Sequence, residues 1–501
     1  MRSPRPRLIA GFLLTPLLAG CFSSSGDDSP SDASGSGEGG RLSVALAFEP
    51  VENLSPYGQD AFNLTRLAVA EGLTRLDANG AAVPALAESW RSEQGGKSWV
   101  FKLREAKFQD STDVTAKAVA NALTHVAKAD PAPKSISGVK LTAKAVGDDQ
   151  VKVTTAEADP VLPLRLTNPS LSVFALKAYG KDGKVNVVGT ATGPFEITRT
   201  TGNTSLTLDR FDDYWGGRAQ ASGIDAKFVT DGTARANALR TGDVDLADAL
   251  PVAQVASLDA KTVHEVATPR NVSLYLNTKS DAFKDASLRA AARGAIDTSA
   301  IAKGVYDGHA ESAKGLFGPA VTWAAAKRTE PTGRAKAIDP NGKSITIATF
   351  NDRPELPEAA QVLQQQLQKT GFKVKLEVRT YAKLETDMLA GKFDAVISSR
   401  NMMFDTGDPA TVLASDYTCD GSFNLSFLCD KNVDRLVAAA AAEADPAKRQ
   451  EAVMKAEAAI LGTDAEIPLV HMKVVYGVAT SVKVAVLDPY ERQFVGTGTR
   501  P

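Results

Sequence analysis

The chain has 501 residues, of which 43% are hydrophobic and 23% charged, and its formal net charge is −2. That length exceeds one ordinary hydrophobic core, so two or three lobes are expected, and the composition is that of a soluble globular protein. The charge balance leaves no basic patch that would point to nucleic acid.

Arg2, Arg5 and Arg7 precede an apolar run from Leu8 to Leu18 that ends in small residues, the pattern of a secretory signal. The run is too short to span a bilayer as a stable helix. Removing residues 1–20 takes three arginines with it and lowers the net charge to −5. The end of the segment, Leu18-Ala-Gly-Cys21, resembles the lipobox of bacterial lipoproteins, which implies a lipidated N-terminal Cys21. The next stretch, to Gly40, is rich in Ser, Gly and Asp with no large apolar residue after Phe22, as expected of a flexible tether.

The folded part is expected to begin with a strand at "RLSVALAF" from Arg41. A helix is expected over Asn63–Arg75, with Leu64, Leu67 and Ala68 on one face. "KSWVFKLREAKFQD" from Lys97 reads as strand, turn and strand, and Thr115 caps a helix that turns Val119, Ala122, Leu123 and Val126 inward. Residues 138–156 alternate around a Gly-Asp-Asp turn, as in a hairpin. From Ile224 the pattern becomes strand, helix, strand: "IDAKFV", "GTARANALRTG" and "DVDLADAL". A strand into two helices follows Arg270, the first capped by Asp285.

A second and cleaner unit comprises the strand "KSITIATF", a helix from Pro357 to Gly371, the strand "FKVKLEVRTY", a short helix and the strand "KFDAVISSR". Helices at Lys431–Ala444 and Ala447–Leu461 and apolar strands from Ile467 close the chain. Two α/β lobes are the economical reading. With Cys21 set aside, Cys419 and Cys429 are ten positions apart in an exported chain and read as one disulfide. Two thiols with no nearby His are too few for a metal site.

Catalytic patterns are absent: there is no G-x-S-x-G, H-E-x-x-H or C-x-x-C. "GGKS" at Gly95 and "NGKS" at Asn341 lack the upstream glycine of a phosphate loop and precede strands, so both are turns. His125, His264, His309 and His471 show no paired spacing. The expectation is a protein that is not an enzyme and carries no cofactor or resident metal.

"VTAKAVANAL", "TGPFEI", "DDYWGG", "ARANALRTGDVDLADAL", "LYLNTKSDAFKDASLRAAARGAID" and "TGDP" occur in the order and spacing of the extracytoplasmic solute-binding proteins of the peptide/nickel ABC-transporter family, family 5, which the chain resembles from Arg41 to the 480s. The resemblance implies a two-lobed α/β fold of the periplasmic-binding-protein kind (class II, cluster C) with a small α+β domain inserted in lobe I. The boundaries it implies are lobe I at 41–76 and 189–269, the inserted domain at 77–188, lobe II at 270–468, and a return to lobe I over 469–501. It further implies an extracytoplasmic, lipid-anchored monomer that delivers a small ligand to ABC permease subunits.

Arg400 follows a strand of the second α/β unit, at the end where open sheets bind ligands. Peptide-binding members of the family carry an Asp three residues before the "DP" that holds the α-ammonium, and Asp405 falls there. Arg400 then suits a carboxylate, and Met402, Met403 and Phe404 an adaptable wall. Tyr57, Arg270, Asn271, Trp323 and Tyr417 are further cleft candidates. Dipeptide binders tend to have Trp at the position of Met402, and binders of nickel chelates or opine-type complexes use an Arg near position 400. A short peptide is the expected ligand, a metal chelate the alternative, and a secreted hydrolase the alternative from another class. Arg400 and Asp405 could instead pair with each other or with neighbours.

Overall fold

The computed structural model describes residues 39–501 except Pro131, Ser137, Asp182, Phe404, Asp405 and the side chain of Ala382. The signal segment, Cys21 and the tether to residue 38 lie outside the described residues.

Two long strands, Val263–Leu276 and Glu466–Val478, run side by side and antiparallel, and they join the lobes. On one side Glu466–Val478 pairs with the short strand Leu246–Ala247, beyond which lie Gly39–Leu46, Ala221–Phe228, Ser205–Arg210 and Phe195–Thr201. On the other side Val263–Leu276 pairs with Ala395–Asn401, which lies parallel to Ser344–Phe350 and, beyond that, Lys373–Arg379. The ladder of the two long strands breaks between them: Ala267 faces Lys473, and the next pair is Asn271 with His471. Pro269 sits in the break, where its missing N–H costs no ladder bond. Thr268 Oγ1 donates to the Met472 carbonyl at 3.0 Å, and the Pro269 carbonyl accepts from the Met402 amide at 3.0 Å.

Each side of the break has its own core. Val272, Leu274, Phe283, Ile347, Leu363, Ile397 and Leu469 belong to the larger, and Leu42, Val44, Leu64, Phe195, Ile224 and Phe494 to the other. A third core lies under a separate four-stranded antiparallel sheet, Ala87–Glu93, Ser98–Leu103, Gln150–Thr155 and Leu141–Val146 in spatial order. Helix Ala116–Val126 covers it with Val119, Ala122, Leu123 and Val126, and Thr115 Oγ1 accepts from the Ala118 amide at 3.2 Å.

Three elements differ from expectation. The second strand expected within residues 97–110 does not form, and Lys107 makes only an isolated bridge to Asp113. The first helix spans Asp60–Arg66, because Ala68 takes a positive φ of 53° and residues 74–76 pair as a strand with 82–84. The expected strand at 243–250 pairs only at Leu246–Ala247. Cys419 and Cys429 are joined as a disulfide.

The C-terminal segment is fixed at the end of the first helix. The Arg66 carbonyl accepts from the Phe494 and Val495 amides at 3.0 and 3.1 Å. The Arg66 side chain, buried in the smaller lobe core, pairs with buried Asp248 at 2.5 Å and lies 5.7 Å from the Phe494 ring centre. Removing one partner of such a pair leaves a buried charge uncompensated, so Asp248→Asn is expected to lower the unfolding free energy by about 3–5 kcal/mol. Denaturant titration with an unchanged slope is the check, and a loss near zero contradicts the assignment.

Candidate functional site at the lobe junction

The C-terminal ends of the parallel strands Ser344–Phe350 and Ala395–Asn401 open at the same edge as the break at Pro269, which is where open α/β sheets take ligands. Three residues converge there from different elements. Arg270 follows Pro269, Asn401 ends its strand, and Glu491 comes from the C-terminal segment. Arg270 NH2 donates to Glu491 Oε2 at 2.9 Å, and Asn401 Nδ2 donates to the same oxygen at 3.2 Å. Burial favours the neutral form of Glu491, but the charges of Arg270 and Arg353 overcome it and hold the carboxyl at about 2.

Arg353 stands three residues beyond the end of Ser344–Phe350. Among the described residues its guanidinium makes no hydrogen bond or ion pair, although it retains some exposed surface. Burial and then the like charge of Arg270 bring its pKa down to about 10, with the carboxylates of Glu491 and Glu355 partly offsetting them. Arg353 thus feels one guanidinium and two carboxylates, Glu491 and Glu355, and among the described residues it is hydrogen-bonded to neither carboxylate. The hydroxyl of buried Tyr306, which feels the charge of Arg353, also lacks a hydrogen-bond partner among the described residues.

Arg400 lies on the next strand-end, with a different environment. Its Nε and NH2 hold Asp416 Oδ2 and Oδ1 at 2.8 and 3.1 Å, and its guanidinium lies 5.0 Å from the Phe423 ring centre. The fork expected to face a ligand carboxylate is therefore engaged by a carboxylate of the protein. Below it Glu466 is buried beside Ser273, Tyr417 and Asp416, and burial pushes its carboxyl up to about 7.

The remaining sequence candidates are spread widely. Met402 and Tyr417 are fully buried in the larger lobe core, and Met403 nearly so, leaving almost no surface for a ligand in this conformation. The Met403 Sδ-methyl instead approaches Gly80, and Gly407 approaches Leu76 and Leu164, so this loop rests against the opposite side of the junction. Asn271 is fully buried and donates to the Leu316 carbonyl at 3.3 Å, because alternation along the strand turns it away from Arg270. Trp323 packs beside Phe317, with ring centres 6.3 Å apart. Tyr57 packs on the core of the small sheet, where burial pushes its hydroxyl up to about 12. Phe404 and Asp405 lie outside the described residues.

Of the sequence candidates, Arg270 reaches the junction cluster. Arg353 and Glu491 were missed. The strand-end rule that singles out Arg400 applies equally to "TFNDRP", since the two strands are parallel. Glu491 carried no signal, because its position depends on the path of the chain after the last strand.

The chain matches the family model described as "Bacterial extracellular solute-binding proteins, family 5 Middle" over residues 81–424. The Glutathione-binding protein GsiB of Escherichia coli O1:K1 is 30% identical over 461 residues, covering 84% of this chain and 87% of that protein. Among solved structures, NikA from Brucella suis in complex with Fe(III)-EDTA superposes with a TM-score of 0.79 at 22% identity, over 92% of this chain and 99% of that one. A dipeptide binding protein from Pseudoalteromonas sp. SM9913 in complex with Met-Leu gives 0.78 at 18% identity, over 92% and 99%. The chain belongs to the family 5 bacterial extracellular solute-binding proteins, the two-lobed ligand carriers of ABC importers. Members of this family act outside the cytoplasm, bind small ligands and work with ABC permeases; among the described residues no helix is long and apolar enough to cross a membrane.

The low pKa of Glu491 has a measurable consequence. A carboxyl held at about 2 in the folded chain and near its ordinary 4.5 when unfolded adds stability above pH 4.5 that is lost as pH falls toward 2. This amounts to about 3 kcal/mol, and Glu491→Gln is expected to remove that part of the acid dependence. Denaturation midpoints between pH 5 and pH 2 are the check, and identical slopes for the two proteins contradict it.

Proposed function

We propose that the chain captures a short peptide between its two lobes, with Arg353 receiving a ligand carboxylate and Asp405 its α-ammonium. The observation that carries this reading is the unpartnered guanidinium of Arg353 at the strand ends beside the break at Pro269. A shielded cation of this kind is a poor resting state and a strong partner for a carboxylate, which matches its fork bidentately. The relative at 30% identity is named for glutathione, itself a tripeptide. Asp405 is proposed from its place before the "DP" of the sequence alone. Arg400, held by Asp416, shapes the wall of the site in this reading, and Arg270 orients the cluster.

Binding proceeds without catalysis, cofactor or resident metal. The lobes close by bending at residues 268–270, a hinge motion, and the closed form is presented to the permease. Cys21 anchors the chain to the membrane through lipid, residues 21–38 tether it, and it works as a monomer. Lobe I over 41–76 and 189–269, the inserted domain over 77–188 and lobe II over 270–468 are the proposed functional divisions, with 469–501 returning to lobe I.

The same unpartnered cation favours one second reading, a metal held in an anionic chelate, where the protein supplies charge and the chelator supplies the metal ligands. Thermal-shift and calorimetric titration with glutathione, dipeptides, oligopeptides and nickel chelates separates the two. Peptides with a free C-terminus are expected to bind, and the same peptides amidated at the C-terminus to bind on the order of 10- to 100-fold more weakly. Arg353→Ala is expected to produce a loss of the same size and to abolish that difference. Stabilisation by chelates alone contradicts the peptide reading. Asp405→Asn is expected to abolish binding of peptides with a free amine while the fold is retained, and unchanged affinity removes Asp405 from the site.

A further inference from the structure

The C-terminal segment 488–493 holds both sides of the junction. The Asp488 carboxylate accepts from the amides of Tyr490, Arg492 and Gln493 at 2.9, 2.7 and 2.9 Å, which fixes the turn that carries Arg492. Glu491 takes a positive φ of 58°, and at that turn two neighbouring side chains part. Glu491 stays at the break with Arg270 and Asn401, while Arg492 runs buried toward the small domain and the loop after Asn401. Arg492 NH1 donates to the Thr167 carbonyl and hydroxyl at 3.0 and 2.7 Å, and its NH2 donates to the Met403 carbonyl at 3.2 Å.

The Met403 carbonyl is well placed to be held in this way. The Asn401 side-chain carbonyl accepts from the Met403 amide at 3.0 Å, and the Met403 carbonyl accepts from the Gly407 amide at 3.0 Å. A carbonyl has two lone pairs, so Arg492 takes the acceptor position that the loop's own bond leaves over. What the guanidinium adds is a bond across the junction. Elsewhere the same loop meets the opposite side through apolar contact, Met403 against Gly80 and Gly407 against Leu76 and Leu164.

We propose that Arg492 is a positioning residue for ligand capture: it straps the loop after Asn401 to the small domain and holds the free chain closed. Thr167 and Arg492 lie on one side of the hinge and Met403 on the other, so the Arg492–Met403 bond exists only in the closed form. The Glu491–Arg270 pair sits at the pivot and survives bending. A guanidinium buried by closure needs acceptors there, and Met403 is one that opening removes. The chain's own contacts thus favour the closed form, and a ligand that enters during a transient opening has less of the closure to drive. The proposal rests on the reading of residues 268–270 as the hinge.

The test is small-angle X-ray scattering of the ligand-free full mature chain as wild type, Arg492→Met and Leu76→Trp. A Cβ on Gly407 would stand 2.8 Å from Leu76 Cδ2, so an indole at position 76 has no room and wedges the junction open. The wild type is expected to fit the closed structure, and both variants to exceed it by about 1 Å or more on a compact radius of gyration of about 23 Å. A merely structural role would lower the melting temperature of Arg492→Met and leave its scattering at the wild-type value. Widening in Leu76→Trp without widening in Arg492→Met therefore overturns the strap and keeps the hinge. Three curves all wider than the closed structure also overturn the strap, because the free chain then stands open with Arg492 in place. Three curves at the closed value overturn the hinge reading and this proposal with it. Arg492→Lys keeps a cation that cannot span Thr167 and Met403 together, so it is expected to widen too. It decides the matter if Arg492→Met does not fold, since a closed Arg492→Lys contradicts the proposal.

Discussion

The two strands Val263–Leu276 and Glu466–Val478 share one ladder across both lobes, and that ladder opens widest near its middle, around Pro269, with a second, smaller register shift between Val272 and Ser273. The candidate site is arranged about this break. Hydrogen bonding on either side fixes each lobe as a body with its own core, while the residues between Ala267 and Asn271 owe the ladder nothing. Arg270 is the first side chain past the break, and it meets Glu491, which arrives from the chain end after Glu466–Val478 has returned. The ion pair therefore closes a loop of covalent structure around the junction. Beside it stands Arg353, whose guanidinium makes no hydrogen bond or ion pair among the described residues.

Two strand-end arginines with opposite fates explain how such a site is built. Arg400 faces Asp416 from the following helix and is neutralised within its own lobe. Arg353, at the end of the neighbouring strand, has the charges of Arg270, Glu491 and Glu355 near it but makes no hydrogen bond or ion pair among the described residues, so its guanidinium stands unbonded in a partly shielded place. Desolvation makes an unpaired charge costly, and the same desolvation makes an incoming carboxylate effective. Family membership fixes the class of protein, and the unbonded guanidinium of Arg353 is what the proposed preference for a ligand carboxylate rests on.

Much of the architecture was legible in the sequence, for local reasons. Thr115, Asp285 and the alternation in "KSITIATF" and "KFDAVISSR" each act over a few residues, and the corresponding elements stand where the pattern puts them. The helix expected over Asn63–Arg75 instead ends at Arg66, because Ala68 turns the chain and residues 74–76 find a strand partner, a contact that helical periodicity does not encode. The site was less legible. Arg400 drew attention as a charge after a strand, but its partner Asp416 lies sixteen residues on and carries no motif. Arg270, Arg353 and Glu491 are spread over more than two hundred residues, and only the path of the chain through two lobes brings them together. Asn271 shows the same limit on a smaller scale, since one step along a strand sends it into the core while Arg270 enters the junction.

The most direct test of the account is a crystal structure of the chain with a bound short peptide. The account predicts closed lobes and the peptide carboxylate bidentate on Arg353 at ~2.7–2.9 Å, with the Arg270–Glu491 and Arg400–Asp416 pairs intact. A peptide carboxylate seated on Arg400 with Asp416 displaced, or a bound ligand that leaves Arg353 without a partner, would contradict it.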